Sequence, residues 1–393
     1  MAERIASRNP VSGAYRIPFN RPTRTEQDAE YVRQALASAN ISGDGPFTKR
    51  CHRLLEQELG VPRALLTTSC THALEMTAML ADIQSGDEVI VPSFTFVSSV
   101  NAFVLRGARP VFADIHPDTL NIDERHVERL LTPRTKAIVV VHYAGVACEM
   151  EAFASISARS GAIIIEDNAH GLFGRYKKRA LGTFGQMSTL SFHETKNLTC
   201  GEGGALLLND ASLIDRAEVI REKGTNRSRF FRGEVDKYSW VDIGSSYLPS
   251  DILAAVLAAQ LEGHDAIQVR RRRLWERYEA ALGTGWADTH GFTLPRIPPD
   301  REQSYHMFYM LAPSAAARDA LLAHLKAHHI LAVSHYVPLH ASKMGRQLGG
   351  RPGDCPVSER VADVLVRLPF FTNMTVDEQD AVIAALELFR PAP

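Results

Sequence analysis

The run Ala162-Ile163-Ile164-Ile165-Glu166-Asp167-Asn168-Ala169-His170-Gly171 decides the fold. Four apolar residues stop abruptly at two acids, an amide and a histidine. Such a run reads as a short strand buried on both faces, with a polar loop at its carboxyl end. Just upstream, Glu149–Ser160 has a helical pattern, and Ala137–Val141 is a second fully apolar strand. The alternation continues outward in both element types. Helices are predicted over Glu124–Leu131, Phe96–Leu105 and Thr71–Asp82, and strands over Pro110–Ala113, Glu88–Val91 and Ala64–Thr68. Apolar strands separated by helices predict an α/β fold with a mostly parallel sheet covered on both faces. Ahead of it lie an extended entry, Pro18 to Arg24, and helices over Glu26–Ala39 and Phe47–Leu59 around a Gly/Asp/Pro turn at residues 42–46. Parallel sheets of this kind take ligands at the carboxyl ends of their strands, so the loops there are where chemistry is expected.

Downstream, the alternation Ser188, Leu190, Phe192 reads as a strand that stops at His193. Lys196 follows, then Gly201, Gly203 and Gly204, then the apolar run Ala205–Leu208. One lysine is thereby held on a polar, Gly-punctuated turn between two buried strands. A lysine that forms a Schiff base needs a fixed position and a partly desolvated amine, and such a turn can supply both. An exposed loop lysine is the plainer reading of the turn alone.

Three strand-end loops add parts. Thr67-Thr68-Ser69-Cys70-Thr71-His72-Ala73 leads into a helix, and hydroxyls with free N–H groups there can hold a phosphate or simply cap the helix. Pro92-Ser93-Phe94-Thr95-Phe96 offers aromatics that could stack on a flat ring or belong to the core. In the third, Asp167 can keep a pyridinium nitrogen protonated, or it can be a capping residue. Phosphate cradle, stacking aromatic, ring-nitrogen acid and rigid lysine together are what pyridoxal 5'-phosphate (PLP) needs.

Composition excludes other classes. The 393 residues carry a net charge of -1, with 45% hydrophobic and 23% charged content, which points to neither nucleic acid nor membrane partners. The five cysteines lack metal-ligand spacing and read as reduced thiols. No stretch has the ~18 consecutive apolar residues of a spanning helix. The first residues have no apolar core like that of a signal peptide, so a cytoplasmic location is expected.

The stretches Thr-Ser-Cys-Thr-His-Ala-Leu (68–74), Pro-Ser-Phe-Thr-Phe-Val (92–97), Glu-Asp-Asn-Ala-His-Gly (166–171), Ser-Phe-His-Glu-Thr-Lys-Asn (191–197) and Gly-Glu-Gly-Gly-Ala (201–205) occur in a fixed order. From about Ile17 onward the chain resembles the DegT/DnrJ/EryC1/StrS family of sugar aminotransferases. Within it, residues 142–150, 221–228 and 242–248 resemble the dTDP-4-amino-4,6-dideoxygalactose transaminases of enterobacterial common antigen synthesis. The resemblance implies a type I, aspartate aminotransferase-like PLP fold. It also implies a homodimer with shared active sites. Along the chain, residues 1–16 read as a flexible extension, 17–265 as a large PLP-binding domain and 266–393 as a small C-terminal α/β domain.

Carried onto this sequence, the resemblance makes Lys196 the PLP lysine and Asp167 the pyridinium partner. His170, where many relatives have Gln, is placed near the cofactor hydroxyl. Cys70, Thr71 and Ser191 would hold the phosphate, and Phe96 would stack on the ring. Much of the family has Asn-Tyr-Arg where this chain has Ser246-Tyr247-Leu248, which alters a phosphate contact across the dimer at Ser246 and removes an arginine. The implied reaction moves an amino group from L-glutamate to C4 of dTDP-4-keto-6-deoxy-D-glucose. A 3-aminotransferase, a sugar dehydratase (against which Lys196 argues) and a non-catalytic homologue are the alternatives.

Three further segments complete the reading. The basic, aromatic loop 223–232 is either solvated or a clamp for the substrate's diphosphate through Arg227 and Arg229. Arg270 to Arg273 are expected to open a solvated helix joining the domains. Residues 303–311, 318–328, 330–336 and 376–389 are expected to alternate strand and helix, and His335 and Tyr336 either reach the active site or pack in the core.

Overall fold

A computed structural model of the chain describes residues 15–38, 40–283 and 285–390. The expected extension at 1–16 lies almost wholly outside the described residues. The seven-stranded central sheet is built from β1 (Arg63–Thr67), β2 (Glu88–Pro92), β3 (Arg109–Ala113), β4 (Thr135–Val141), β5 (Ile163–Asp167), β6 (Met187–Ser191) and β7 (Gly204–Leu208). Their spatial order is β1-β7-β6-β5-β4-β2-β3. β2 to β6 pair in parallel, while β7 runs antiparallel to both β6 and β1.

Helices cover both faces, which is why the strands are apolar throughout. Leu65, Val89, Val139, Ile165 and Leu206 pack on one side with the helices Cys70–Leu80 and Ser98–Val104. On the other, Ile138, Val140 and Ile164 meet the helix Met150–Ser160, and Leu66, Leu190 and Leu207 meet the helices Pro46–Leu59 and Asp251–Glu262.

A second core gathers Trp275, Tyr278, Phe308, Leu321, Val366, Phe371 and Leu386 around the two-stranded antiparallel pair β8 (Tyr309–Leu311) and β9 (Leu365–Arg367). The long helix His264–Gly283 leads into it. Ile17 is buried in this second core, its N–H donating to His329 O at 3.1 Å.

Two expectations are corrected here. The four arginines lie inside the long helix and do not open it. Arg271 is buried, donating to the carbonyls of Tyr305 and His306 and to Thr372 Oγ1, because the helix turns that position into the second core. Residues 330–336 form no strand: only isolated bridges at Ile330 and Val333 hold the segment, and its polar residues are used elsewhere.

Candidate active site

Strand alternation separates the two acids that end β5. Glu166 points away into the interior, where its carboxylate takes the N–H groups of Gly182, Phe184 and Gly185 and contacts His142 Nε2 at 2.9 Å. Every oxygen is satisfied, so Glu166 is structural. Asp167 points into a cavity of about 580 Å³ at the carboxyl ends of the strands. There it accepts from Ser99 Oγ at 2.6 Å and from the N–H of Ala169 at 3.2 Å. Thr95 Oγ1 sits 3.0 Å behind Ser99 and fixes that hydroxyl.

Lys196 enters from the turn between β6 and β7. Its N–H donates to His193 O, and the flanking Asn197 Nδ2 donates to Ser304 O at 2.7 Å, which ties the turn to the second core. Burial pulls the Lys196 amine down to about 8; Cys70 and Asp167 oppose the shift and the charge of Arg367 adds to it. Roughly a tenth of this amine is therefore free at pH 7, far more than of an ordinary lysine, and the free share grows above it, as capture of an aldehyde requires.

The opposite end is a cradle. Ser69 caps the helix Cys70–Leu80 by accepting from His72 N–H, so the first turn of that helix faces the cavity together with Thr71, Ser98 and Ser191. Thr71 Oγ1 and Ser98 Oγ lie 2.8 Å apart. A Cβ on Gly204 would come within 2.4 Å of the Cys70 nitrogen, so only glycine lets β7 start this close to the helix. Hydroxyls and N–H groups converging at a helix N-terminus suit a phosphate. Burial pushes the Cys70 thiol up to about 12, so it stays a thiol.

His170 stacks on His306 with ring centroids 4.2 Å apart, and Tyr336 stacks on His335 at 3.5 Å. Burial, reinforced by nearby cations, holds all three histidines well below the ordinary imidazole range, so they are neutral. His170 Nδ1 is buried without a partner among the described residues. Phe96 is 56% exposed at the cavity mouth, 6.3 Å from the Tyr336 ring. These walls fit a flat, phosphate-bearing pyridine: an acid at one side, hydroxyls at another, an unpaired imidazole nitrogen and a free amine.

The structure thus brings together Cys70, Thr71, Phe96, Asp167, His170, Ser191, Lys196, His335 and Tyr336. Ser246, Arg227 and Arg229 do not line this cavity. Ser246 is exposed beside Glu222, Arg227 pairs with Glu222, and Arg229 pairs with Glu234. Sequence reading missed Ser99, His306, Phe19 and Arg367. Only Arg367 left a signal, as the lone charge in the run Leu365-Val366-Arg367-Leu368.

Residues 22–387 match the model of the DegT/DnrJ/EryC1/StrS aminotransferase family. The chain belongs to that family. It is 31% identical over 378 residues to the spore coat polysaccharide biosynthesis protein SpsC of Bacillus subtilis, covering 94% of this chain and 96% of that protein. It is also similar to the aminotransferase TlmJ of Streptoalloteichus hindustanus (31% identity, TM-score 0.85, 95% of this chain and 97% of that one). The sugar aminotransferase Spr1654 of Streptococcus pneumoniae, solved in a PLP form, superposes with a TM-score of 0.87 at 26% identity over 95% of this chain and 98% of that one. The expected type I aminotransferase fold and the PLP cofactor of this family member follow.

Proposed function

We propose that this chain is a homodimeric, cytoplasmic nucleotide-sugar aminotransferase. It would move an amino group from L-glutamate to C4 of dTDP-4-keto-6-deoxy-D-glucose, giving dTDP-4-amino-4,6-dideoxygalactose. The observation that carries the reaction class is the Lys196 amine, lowered to about 8, in one cavity with Asp167. The sugar and the carbon rest on the resemblance at residues 142–150, 221–228 and 242–248.

When bound, PLP supplies the electron sink that allows an amino group to leave one carbon and join another. Asp167, held by Ser99 and the Ala169 N–H, would keep a pyridine nitrogen protonated. Thr71, Ser98, Ser191 and the N–H groups at Cys70 would hold the phosphate. The Lys196 amine would hold the cofactor at rest and, once freed, would serve as the base and acid that carries the proton. Neutral His170 would meet the ring hydroxyl, and the Phe96 and Tyr336 rings at the cavity mouth would limit the entry of water.

Homodimerisation is supported by the exposed apolar surface of 230–243, where Trp240 is 79% and Phe231 70% exposed. A patch of this kind marks an interface. A second copy seated there would bring Arg227, Arg229 and Ser246 toward its own cavity. No described helix is long and apolar enough to cross a membrane.

Incubation with glutamate and dTDP-4-keto-6-deoxy-D-glucose, followed by mass spectrometry and proton NMR of the product, tests the reading. The expected product carries nitrogen on C4 with a small H3–H4 coupling. A large coupling would mean the gluco amine, and nitrogen on C3 would make the protein a 3-aminotransferase.

A further inference from the structure

The central sheet and the second core meet at Asn197, the residue that follows Lys196 on the cavity turn. Its side-chain amide is buried and fully used. Nδ2 donates to Ser304 O at 2.7 Å and to Gln268 Oε1 at 3.2 Å. A backbone carbonyl can only accept, so the amide nitrogen faces Ser304 and the amide oxygen faces the other way. There Asn197 Oδ1 lies 2.9 Å from His306 Nδ1. An amide oxygen also only accepts, so Nδ1 is the His306 nitrogen that carries the proton.

This fixes the rest of the ring. Burial, with His170, Lys196, Arg271 and Arg367 adding to it, keeps His306 neutral, so its Nε2 holds a lone pair. The backbone is pinned as well, His306 O accepting from Arg271 Nη2 at 2.6 Å. Against one face of this ring lies His170, with centroids 4.2 Å apart and planes 18° apart. The His170 carbonyl accepts from Ser304 Oγ, so residues 304 and 306 grip both its backbone and its ring. Little else holds the imidazole. His170 Nδ1 has no partner among the described residues, and Nε2 is 3.5 Å from Tyr336 Oη, at the limit of a hydrogen bond.

We infer that Asn197 and His306 are a positioning pair: Asn197 locks the His306 ring, and His306 holds the His170 ring in its plane, so that the Lys196 turn and the His170 wall keep one spacing. The inference goes beyond the reaction proposed above and is independent of which donor or sugar is used. Two imidazoles stacked at this distance cannot both take a proton without like-charge repulsion. The charged groups that face the pair, Lys196, Arg271 and Arg367, are cations and oppose protonation too, and His335 is neutral. Of the two acids lining the cavity, Asp167 is bound to Ser99 and Glu202 faces His193. The stack therefore also keeps His170 uncharged.

Nitrogen NMR of the full-length, cofactor-free chain, labelled at histidine nitrogen, reads tautomer and charge directly. His306→Phe and His170→Gln assign the two signals. In the unchanged protein His306 should show the Nδ1–H tautomer, and neither ring should titrate between about pH 5.5 and 8.5. Asn197→Ala should turn His306 into a mixture of its two neutral tautomers. His306→Ala should free His170, whose titration should then enter that window. His306→Phe keeps a ring on the same face and should leave His170 as it was. Affinity for added PLP, read by absorbance titration, should fall several-fold in His306→Ala and less in His306→Phe.

An Nε2–H tautomer or a charged His306 in the unchanged protein overturns the lock. A His170 signal unmoved by His306→Ala, or moved equally by Ala and Phe, overturns the stack as its support, and so does a PLP affinity lost equally in both. None of these readouts requires turnover. Failure of the aminotransferase reading would show separately, as absence of amine transfer by a protein whose two histidines behave as expected.

Discussion

The cavity and the 223–243 loop both carry cations and aromatics, yet they treat them in opposite ways. Inside, Lys196 and Arg367 form no ion pair with a carboxylate among the described residues, and the rings around them are stacked and neutral. Outside, Arg227, Arg229 and Arg232 are paired with Glu222, Glu234 and Glu218, while Phe231 and Trp240 stand bare. A charge left unpaired where burial makes it expensive marks a place kept for a ligand. The Arg229–Glu234 pair is exposed on both sides and contributes at most about 1 kcal/mol, so it is free to change partners, whereas the buried Glu222 and Glu218 hold Arg227 and Arg232 more firmly. The apolar surface beside them is what asks to be covered.

Removing the inner lysine should have the largest effect. Lys196→Ala is expected to abolish nearly all turnover and the absorbance of the lysine-bound cofactor, with no borohydride labelling of any other lysine. Labelling elsewhere would move the function off this turn. A smaller effect should follow neutralisation of the outer pair, Arg227→Gln with Arg229→Gln. The KM for the sugar nucleotide should rise more than about tenfold, since charged hydrogen bonds to phosphate are worth roughly 1.5–3 kcal/mol each. The glutamate half-reaction should be spared. Equal damage to both halves would mean the loop is needed for folding and erase the contrast.

The smallest effect lies in pH. In cofactor-free protein the folded-state amine of Lys196 sits at about 8, below its ordinary 10.5. The unfolded chain therefore binds more protons between these values, and stability should rise with pH across that window. Below about 8 both states are protonated and the dependence vanishes. The rate of PLP capture should climb through the same midpoint, and Lys196→Met should flatten the stability curve between pH 8 and 10.5. A capture midpoint near 10.5 would show an amine no different from the exposed lysines of the loop.

How much of this was readable in the chain follows from range. Ala137–Val141 and Ala162–Ile165 were legible because a strand buried on both faces has to be apolar throughout, and the acid that ends β5 is visible as a break in that run. Lys196 was legible because its turn is bracketed by glycines. The antiparallel direction of β7 left no such mark, since a strand buried on both faces reads the same in either direction. Ser99 and His306 gave no local signal either: they reach the site only because the sheet and the second core are brought together, Ser99 behind Asp167 and His306 onto His170. Arg271 was misread because four like charges in a row suggest solvent, whereas a helix turns each to a different side and one of them faced the core.

The anchoring of Ile17 in the second core has a consequence for the order in which this protein can be made. Ile17 is bridged to Ile330, Phe19 O accepts from Phe370 N–H, and Thr23 Oγ1 bonds to Thr372. These residues leave the ribosome early, yet their partners emerge only after the whole sheet has been synthesised. Through most of translation the strap is therefore an unclaimed apolar segment, and its docking is a late, long-range loop closure. The Phe19 ring, 4.4 Å from the Arg367 guanidinium carbon, arrives with it, so the wall of the cavity is finished by residues translated before any of the sheet.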